Sequence, residues 1–386
     1  MRTRARGICR YRDCARFYGG SMKNSFGNSM QMTIFGESHG PYIGIVLDGL
    51  APGIKIDDGF IKHQLSLRRP SGKISTQRVE ADEYTIASGV YNGFTTGTPL
   101  TILIPNTAQH SKDYDDAVRI ARPGHADYTA FCKYKGFEDY HGGGHFSGRV
   151  TAALVAAGAI VLPVLKKKGI LIGTHISSLA GICDREFEDY EADINKLSDL
   201  SFPVLDEKKA GIMQEAILKA SELKDSVGGV LESVILNMPA GIGEPWFDSI
   251  EGILSHALFS IPAIKGVEFG DAFNKVSGFG SDYNDPLRVC DGRVITTTNN
   301  NGGINGGISN GMPIIFKCAV KPTPSIYKKQ ESIDINSLTN ASLEIKGRHD
   351  PAIIHRARIV VDSVAALCVY DMLSASFGTD YFLGER

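Results

Sequence analysis

Three hundred and eighty-six residues, 42% of them hydrophobic and 22% charged, describe an ordinary globular chain rather than a disordered or fibrous one. The formal net charge of −2 hides an asymmetry: residues 1–21 hold six arginines and one acid, Asp13, for +5, which leaves −7 on the rest. A mildly acidic body argues against non-specific nucleic-acid binding. The longest apolar run, residues 150–165, is broken by Gly158 and Pro163 and falls short of the ~20 residues a bilayer demands, so no membrane span is expected.

The arginine-rich leader has the charge of a transit peptide or nucleic-acid arm but lacks lysine and serine enrichment. It reads as a disordered upstream extension, with Met22 as the natural start and residues 22–386 as one domain of two comparable halves. Seven scattered cysteines, odd in number and without a Cys-x-x-Cys pair, suit reduced thiols in a cytoplasmic protein. Forty-three glycines, where ~7% usage gives about 27, require tight turns or close backbone approach to a ligand.

From Gln31, short β-rich runs alternate with glycine turns: QMTIF, then GESHG, then YIGIVLDGLAPG. A helix is expected over residues 57–67, delivering Arg68 and Arg69 just before Pro70. Residues 88–104 read as a hairpin, and about forty polar residues after it as a functional loop. Residues 147–168 form the clearest helix, apolar nearly all round and therefore buried. GILIGTHISSLAGI and GGVLESVILNMPAGIG make a second strand-rich half around a helical region at 205–224. Glycine- and asparagine-rich loops follow, and then a final helix over 350–374. The fold class is α/β (α+β), a sandwich with polar loops gathered at one end.

Three of the ten histidines lie in glycine-rich loops: His39 in GESHG, His125 in RPGHAD and His145 in HGGGHFSGR. Glycine neighbours deny such a side chain a packed core, which favours a ligand-facing role over a structural one. Zinc at His141 and His145 is a weak reading, because the intervening glycines disfavour the helix that would align them. Arg68, Arg69, Lys73, Arg122, Arg149, Lys321 and Arg348 all sit beside Gly or Pro in turn-like contexts. Any one of these is by default a solvated cation, but their recurrence in separate loops points to an anionic ligand carrying more than one phosphate. GESHG also has the spacing of a Gly-x-Ser-x-Gly nucleophile elbow, yet a strand follows it where the elbow requires a helix.

GESHG (36–40), RRP (68–70) with TQR (76–78), SGV followed by TTGTP (95–99), RPGHADYT (122–129), HGGGHFSGR (141–149), GGINGGISNG (302–311), KPTPS (321–325) and GRHDP (347–351) occur in order, and on them the chain from Lys23 resembles the chorismate synthase family. The resemblance implies a β-α-β sandwich assembled as a homotetramer. It implies an anti-1,4-elimination of phosphate from 5-enolpyruvylshikimate 3-phosphate to give chorismate, the last common step of aromatic amino acid biosynthesis. Reduced FMN would be required without net redox change.

By the same resemblance, His39 protonates the departing phosphate, His125 faces the anionic reduced flavin, Ser38 and Ser147 relay protons, and Asp350 accepts one. Arg68 and Lys73 fall where the family places cations for substrate or nicotinamide phosphate. His145, Phe146, Ser147, Asp282, Tyr283, Gly306, Lys321, Pro322, Thr323, Pro324, Ser325 and Arg348 would hold FMN. Two segments depart from many relatives, at three positions: His145-Phe146-Ser147 stands for Arg-Ser-Ser, and Lys73 for Arg. Histidine is a pH-dependent anion partner where arginine is not. No dinucleotide fingerprint follows a strand, so the reading is monofunctional, with NADPH entering only indirectly. No metal and no nucleic-acid or membrane partner is expected. The competing classes are a non-catalytic phosphate or flavin binder, and a nucleic-acid protein acting through the leader, which turnover after removal of residues 1–21 would exclude.

Overall fold

The computed structural model describes residues 23–70, 72, 74–75, 82–107, 119–345 and 349–384; the basic leader, Lys73, the TQR segment and Arg348 lie outside the described residues. Alternating apolar residues build the first sheet from β1 (Ser25–Phe26), β2 (Gln31–Gly36), β3 (Tyr42–Asp48), β4 (Thr85–Ser88) and β5 (Leu100–Pro105). Its order is β1-β2-β3-β5-β4, every pair antiparallel. Ile43, Ile45 and Leu47 stand directly opposite Ile104, Ile102 and Leu100, and all six are fully buried. The period of two thus commits one whole face to the interior.

The second sheet repeats the device with β6 (Leu171–Leu179), β7 (Ile182–Cys183), β8 (Gly229–Leu236), β9 (Ile264–Phe269) and β10 (Ile314–Val320). They run in the order β9-β10-β8-β6-β7. Leu231, Ser233 and Ile235 pair with Cys318, Phe316 and Ile314, and all six are buried. Val234 and Leu236 instead pack with Ile194 in a smaller cluster.

Among the described residues, seven helices of eight residues or more complete the frame: α1 (Asp58–Arg68), α2 (Asp127–Tyr134), α3 (Thr151–Lys167), α4 (Tyr190–Leu197), α5 (Glu207–Glu222), α6 (Ile250–Leu258) and α7 (Ile354–Phe377). Between the sheets, α3 packs on β3 and β5 and α7 on β6 and β8, with the two helices against each other. The result is the expected β-α-β sandwich. A Cβ on Gly158 of α3 would lie 2.4 Å from Cβ of Ser363 on α7, so the helices approach as closely as a glycine permits. Asp371 of α7 accepts hydrogen bonds from the backbone N–H groups of Asn28, Ser29 and Met30 at 2.9, 2.7 and 2.7 Å, tying the first sheet to the central layer.

Run length alone understated these helices. The stretch Gly148–Lys167 and α7 are each long and apolar enough to cross a bilayer, but 78% and 89% of their apolar windows are buried inside the protein. Pro163 lies inside α3 near its end without stopping it. Two boundaries move for local reasons. Pro351 restricts Asp350, so α7 starts at Ile354 and leaves Asp350 in the approach segment. Ser147 caps a short 3-10 turn, Gly148–Val150, before α3 begins. The long polar loop contains α2.

Candidate active site

Gly142, Gly143 and Gly144 all adopt positive φ, at 62°, 126° and 52°. The backbone so turned passes between two histidines. A Cβ on Gly142 would lie 1.8 Å from Cε1 of His39, and one on Gly143 would lie 3.3 Å from Nε2 of His125 and 3.6 Å from Cβ of Ser147. The Gly144 carbonyl accepts the Ser38 N–H at 3.0 Å, which fixes the GESHG turn against the same segment. Ser38 is buried, with Oγ 3.1 Å from Nδ1 of His39. Ser147 Oγ accepts the Arg149 N–H at 3.2 Å, leaving its own proton to donate.

His125 stands in a tight turn whose acid is Asp127. Nδ1 of His125 is 2.7 Å from Asp127 Oδ1, and Arg122 grips the same carboxylate through Nε, NH2 and its backbone N–H at 2.8, 2.7 and 2.8 Å. Burial pushes Asp127 up, but the hydrogen bonds and charges of Arg122 and His125 outweigh it and hold the carboxyl well below its usual range. Nζ of Lys321 donates to the Gly124 carbonyl, bringing the KPTPS segment onto this turn.

A second group lies behind. The buried Asp82 carboxylate receives Arg68 NH2 at 3.3 and 3.2 Å, pairs with Arg149 NH1, and has Arg69 Nε at 3.7 Å. Three guanidinium groups thus share one carboxylate, a surplus of positive charge suited to anions. Arg149 Nε also donates to Asn106 Oδ1 at 3.0 Å, and Asn106 Nδ2 donates to the Glu37 and Gly40 carbonyls at 2.9 and 2.8 Å, linking the cations to GESHG. Asp350 pairs with Arg356 at 2.6 Å, and Arg356 Nε donates to the Arg68 carbonyl at 2.7 Å. His349 lies between these groups: burial lowers its pKa, Arg122 lowers it further, and Asp350 acts in the opposite sense. Its Nε2 and the Thr323 hydroxyl are buried without a hydrogen-bond partner among the described residues.

The chain that carries this constellation is similar over most of its length to known proteins. The family model for chorismate synthase matches residues 30–374. A chorismate synthase of Korarchaeum cryptofilum is 42% identical over 353 residues, spanning 91% of this chain and 97% of its own length. One from Dehalococcoides mccartyi is 44% identical over 354 residues, spanning 91% and 96%.

The chain belongs to the chorismate synthase family. It is a carbon–oxygen lyase of the shikimate pathway. A crystal structure of chorismate synthase superposes with a TM-score of 0.71 at 28% identity, covering 92% of this chain and 94% of that one. The sandwich is therefore the chorismate synthase fold.

Within it, the motif residues divide between two places. Ser38, His39, His125, Ser147, Lys321 and Asp350 belong to the connected set just described. His145 donates its Nδ1–H to the Gly36 carbonyl at 2.8 Å, while Nδ1 of His141 turns to Asp139. Phe146 lines a shallow pocket with Arg119, His125 and Tyr140. Pro322, Thr323, Pro324 and Ser325 follow β10 at the Lys321 end, where Thr323 O accepts from Ser226. Asp282, Tyr283 and Gly306 sit beyond the other end. The Asp282 and Tyr283 carbonyls take hydrogen bonds from Asn300, whose own carbonyl abuts Gly270, and Gly270 donates to Ile315 near the start of β10. A seven-residue strand puts about 20 Å between its ends.

Sequence reading missed Asp82, Asn106, Asp127 and Arg356 as parts of this set. Asp127 had a signal, since it lies two residues after His125 inside the same motif. The others are isolated in sequence and acquire meaning only through the fold.

Proposed function

We propose that this lyase removes phosphate from 5-enolpyruvylshikimate 3-phosphate by anti-1,4-elimination, yielding chorismate, with reduced FMN required and no net redox change. The observation that carries the reading is the pair His39 and His125 on the two sides of Gly142 and Gly143, with Ser38 and Ser147 beside them. The Thr323 hydroxyl and His349 Nε2, buried without a partner among the described residues, form with Lys321 and the positive-φ Gly124 a donor set that fits a phosphorylated flavin. Reduced FMN, when bound, supplies electron density as phosphate departs.

The chain's own residues do the rest. His39 protonates the leaving phosphate, with Ser38 Oγ at its Nδ1 to relay the proton, while Ser147 relays protons on the Nε2 side of His125. Asp350, steadied by Arg356, would accept a proton on the side of the site where the flavin is held. Arg68, backed by Asp82, and Lys73 bind phosphate of substrate or of NADPH, the latter only an indirect participant. His145, Phe146, Ser147, residues 321–325 and Arg348 hold FMN.

Asp282, Tyr283 and Gly306 complete the flavin set from a neighbouring copy in a homotetramer. Support comes from the exposed apolar side chains around them, Phe273, Phe279, Leu287 and Val289, which an assembly would cover. The enzyme works in the cytoplasm on reduced flavin made elsewhere.

The test is an anaerobic assay with 5-enolpyruvylshikimate 3-phosphate and dithionite-reduced FMN, following phosphate release and chorismate absorbance. His39→Ala and His125→Ala should each lose roughly 10²-fold or more in turnover with FMN still bound. Ordinary turnover in both variants removes the acid–base assignment.

A further inference from the structure

We propose that Asp127 is the positioning residue of His125: it holds the ring in the tautomer that carries hydrogen on Nδ1 and presents Nε2 to the site. The inference rests on the proton-transfer reading of His125 and adds a residue to it.

Nδ1 of His125 has two polar neighbours, Asp127 Oδ1 at 2.7 Å and Arg122 NH2 at 3.2 Å. An ionised carboxylate only accepts and a guanidinium only donates, so the two neighbours demand opposite tautomers. The shorter contact decides for Nδ1–H donating to Asp127. Arg122 NH2 has a better acceptor in the same Oδ1 at 2.7 Å. Asp127 in turn cannot rotate, because its Oδ2 takes both the Nε and the backbone N–H of Arg122. The ring is thereby clamped at one nitrogen, and its Nε2–Cε1 edge lies against Gly143, on the side of Ser147. Nε2 is the nitrogen left to exchange a proton, as in other carboxylate–imidazole pairs where the acid fixes tautomer and orientation.

The charged and titratable groups around His125 are mixed in sign. Arg122 and Asp127 share its turn, and Lys321 reaches Gly124 from the segment after β10. Arg119, Glu138 and Asp139 line the adjoining pocket, His349 lies near Arg122, and His39 stands beyond Gly142. Among the described residues Asp127 is the acceptor that touches the ring, so it is the group that stabilises the imidazolium.

Asp127 also opens α2, where an acid favours a helix start, and that purely structural role must be separated. The experiment is a double-mutant cycle on the full chain with reduced FMN under anaerobic conditions. Asp127→Asn should lower kcat by roughly 10²-fold with substrate KM changed by less than about threefold. The limb of its kcat profile governed by His125 should move to lower pH, and Asp127→Glu should recover part of the rate. In a His125→Ala background the same Asp127→Asn change should cost less than about threefold. Losses that add in full, or an unmoved pH limb, overturn the proposal while leaving His125 in its role. Ordinary turnover in His125→Ala alone instead removes the underlying reading. If Asp127→Asn does not fold, Asp127→Glu decides: it keeps the charge, so a rate loss that vanishes in the His125→Ala background supports positioning, and one that persists refutes it.

Discussion

Cε1 of His39 lies 1.8 Å from the point where Gly142 would carry a Cβ. No side chain is compatible with that approach, and φ of +62° already places the residue where L side chains pay about 1–2 kcal/mol. The histidine and the glycine therefore form one element: the ring occupies the volume the glycine leaves open. Gly142→Ala should displace His39 from Ser38 and lower turnover by roughly 10²-fold, the loss expected for removing a positioned acid. Melting should fall only modestly, by the backbone strain. Anaerobic kinetics together with thermal denaturation check this, and full activity in Gly142→Ala would show that His39 need not stand where it does.

Asp82 governs stability rather than chemistry. Its carboxylate is buried and compensates Arg68 and Arg149, which are themselves buried. Asp82→Ala strands those charges and should cost about 3–5 kcal/mol, the range for breaking a buried ion pair from one side. The acid also titrates abnormally: burial pushes it up, but the charges of Arg68 and Arg149 and their hydrogen bonds win and hold it below the ordinary carboxylate range. A depressed carboxyl stabilises the fold fully above the unfolded value near 4 and loses that contribution as pH falls further. Melting curves from pH 5 to pH 2.5 should therefore be flatter for a folded Asp82→Asn variant than for the parent, and parallel curves would refute the assignment.

How much of this was readable from sequence depends on the kind of information. The strands were legible because Ile43, Ile45, Leu47 and their partners repeat with a period of two, and α3 because a run of Ala, Val and Leu admits no polar face. The histidines and serines were legible because glycines flank them. Asp82 and Asn106 were not, because their partners Arg68 and Arg149 are remote in the chain and nothing local marks a lone acid or amide as their counterpart. The division of the FMN motif residues between the two ends of β10 was equally hidden, since order along the chain says nothing about which end of a strand a loop adorns.

His145 offers a test of flavin binding by a single nitrogen. Its Nδ1–H is committed to the Gly36 carbonyl, so Nε2 is the ring nitrogen left for a ligand. His145→Ala should therefore weaken FMN binding, and by more than His145→Gln, whose amide keeps a polar end. Fluorescence titration of FMN reads both; unchanged affinity in His145→Ala would mean that this side chain takes no part in holding FMN.

Two other buried histidines set the pH dependence of folding in opposite senses. His355, at the start of α7 and 2.9 Å from the Ser75 hydroxyl, is pushed down to about 3 by burial and by the charge of Arg356. The unfolded chain takes up its proton near 6.5 and the folded one only near 3, so this group withdraws stability as pH falls from 6.5 towards 3, by up to about 1.4 kcal/mol per pH unit. His175 is the reverse. Burial opposes its charge, but hydrogen bonds to Asp184 at 2.8 Å and Glu232 at 3.0 Å, with their charges, outweigh burial and raise its pKa. Its stabilisation is complete below 6.5 and is lost as pH rises through the raised value. His355→Gln should therefore flatten the fall in urea stability between pH 6.5 and pH 4.5, whatever it costs at pH 7. His175→Gln should destabilise the protein at neutral pH and flatten the decline on the alkaline side. Urea titrations every half pH unit from 4.5 to 9 separate the two, and a variant whose curve runs parallel to the parent throughout would show that its histidine does not titrate on unfolding.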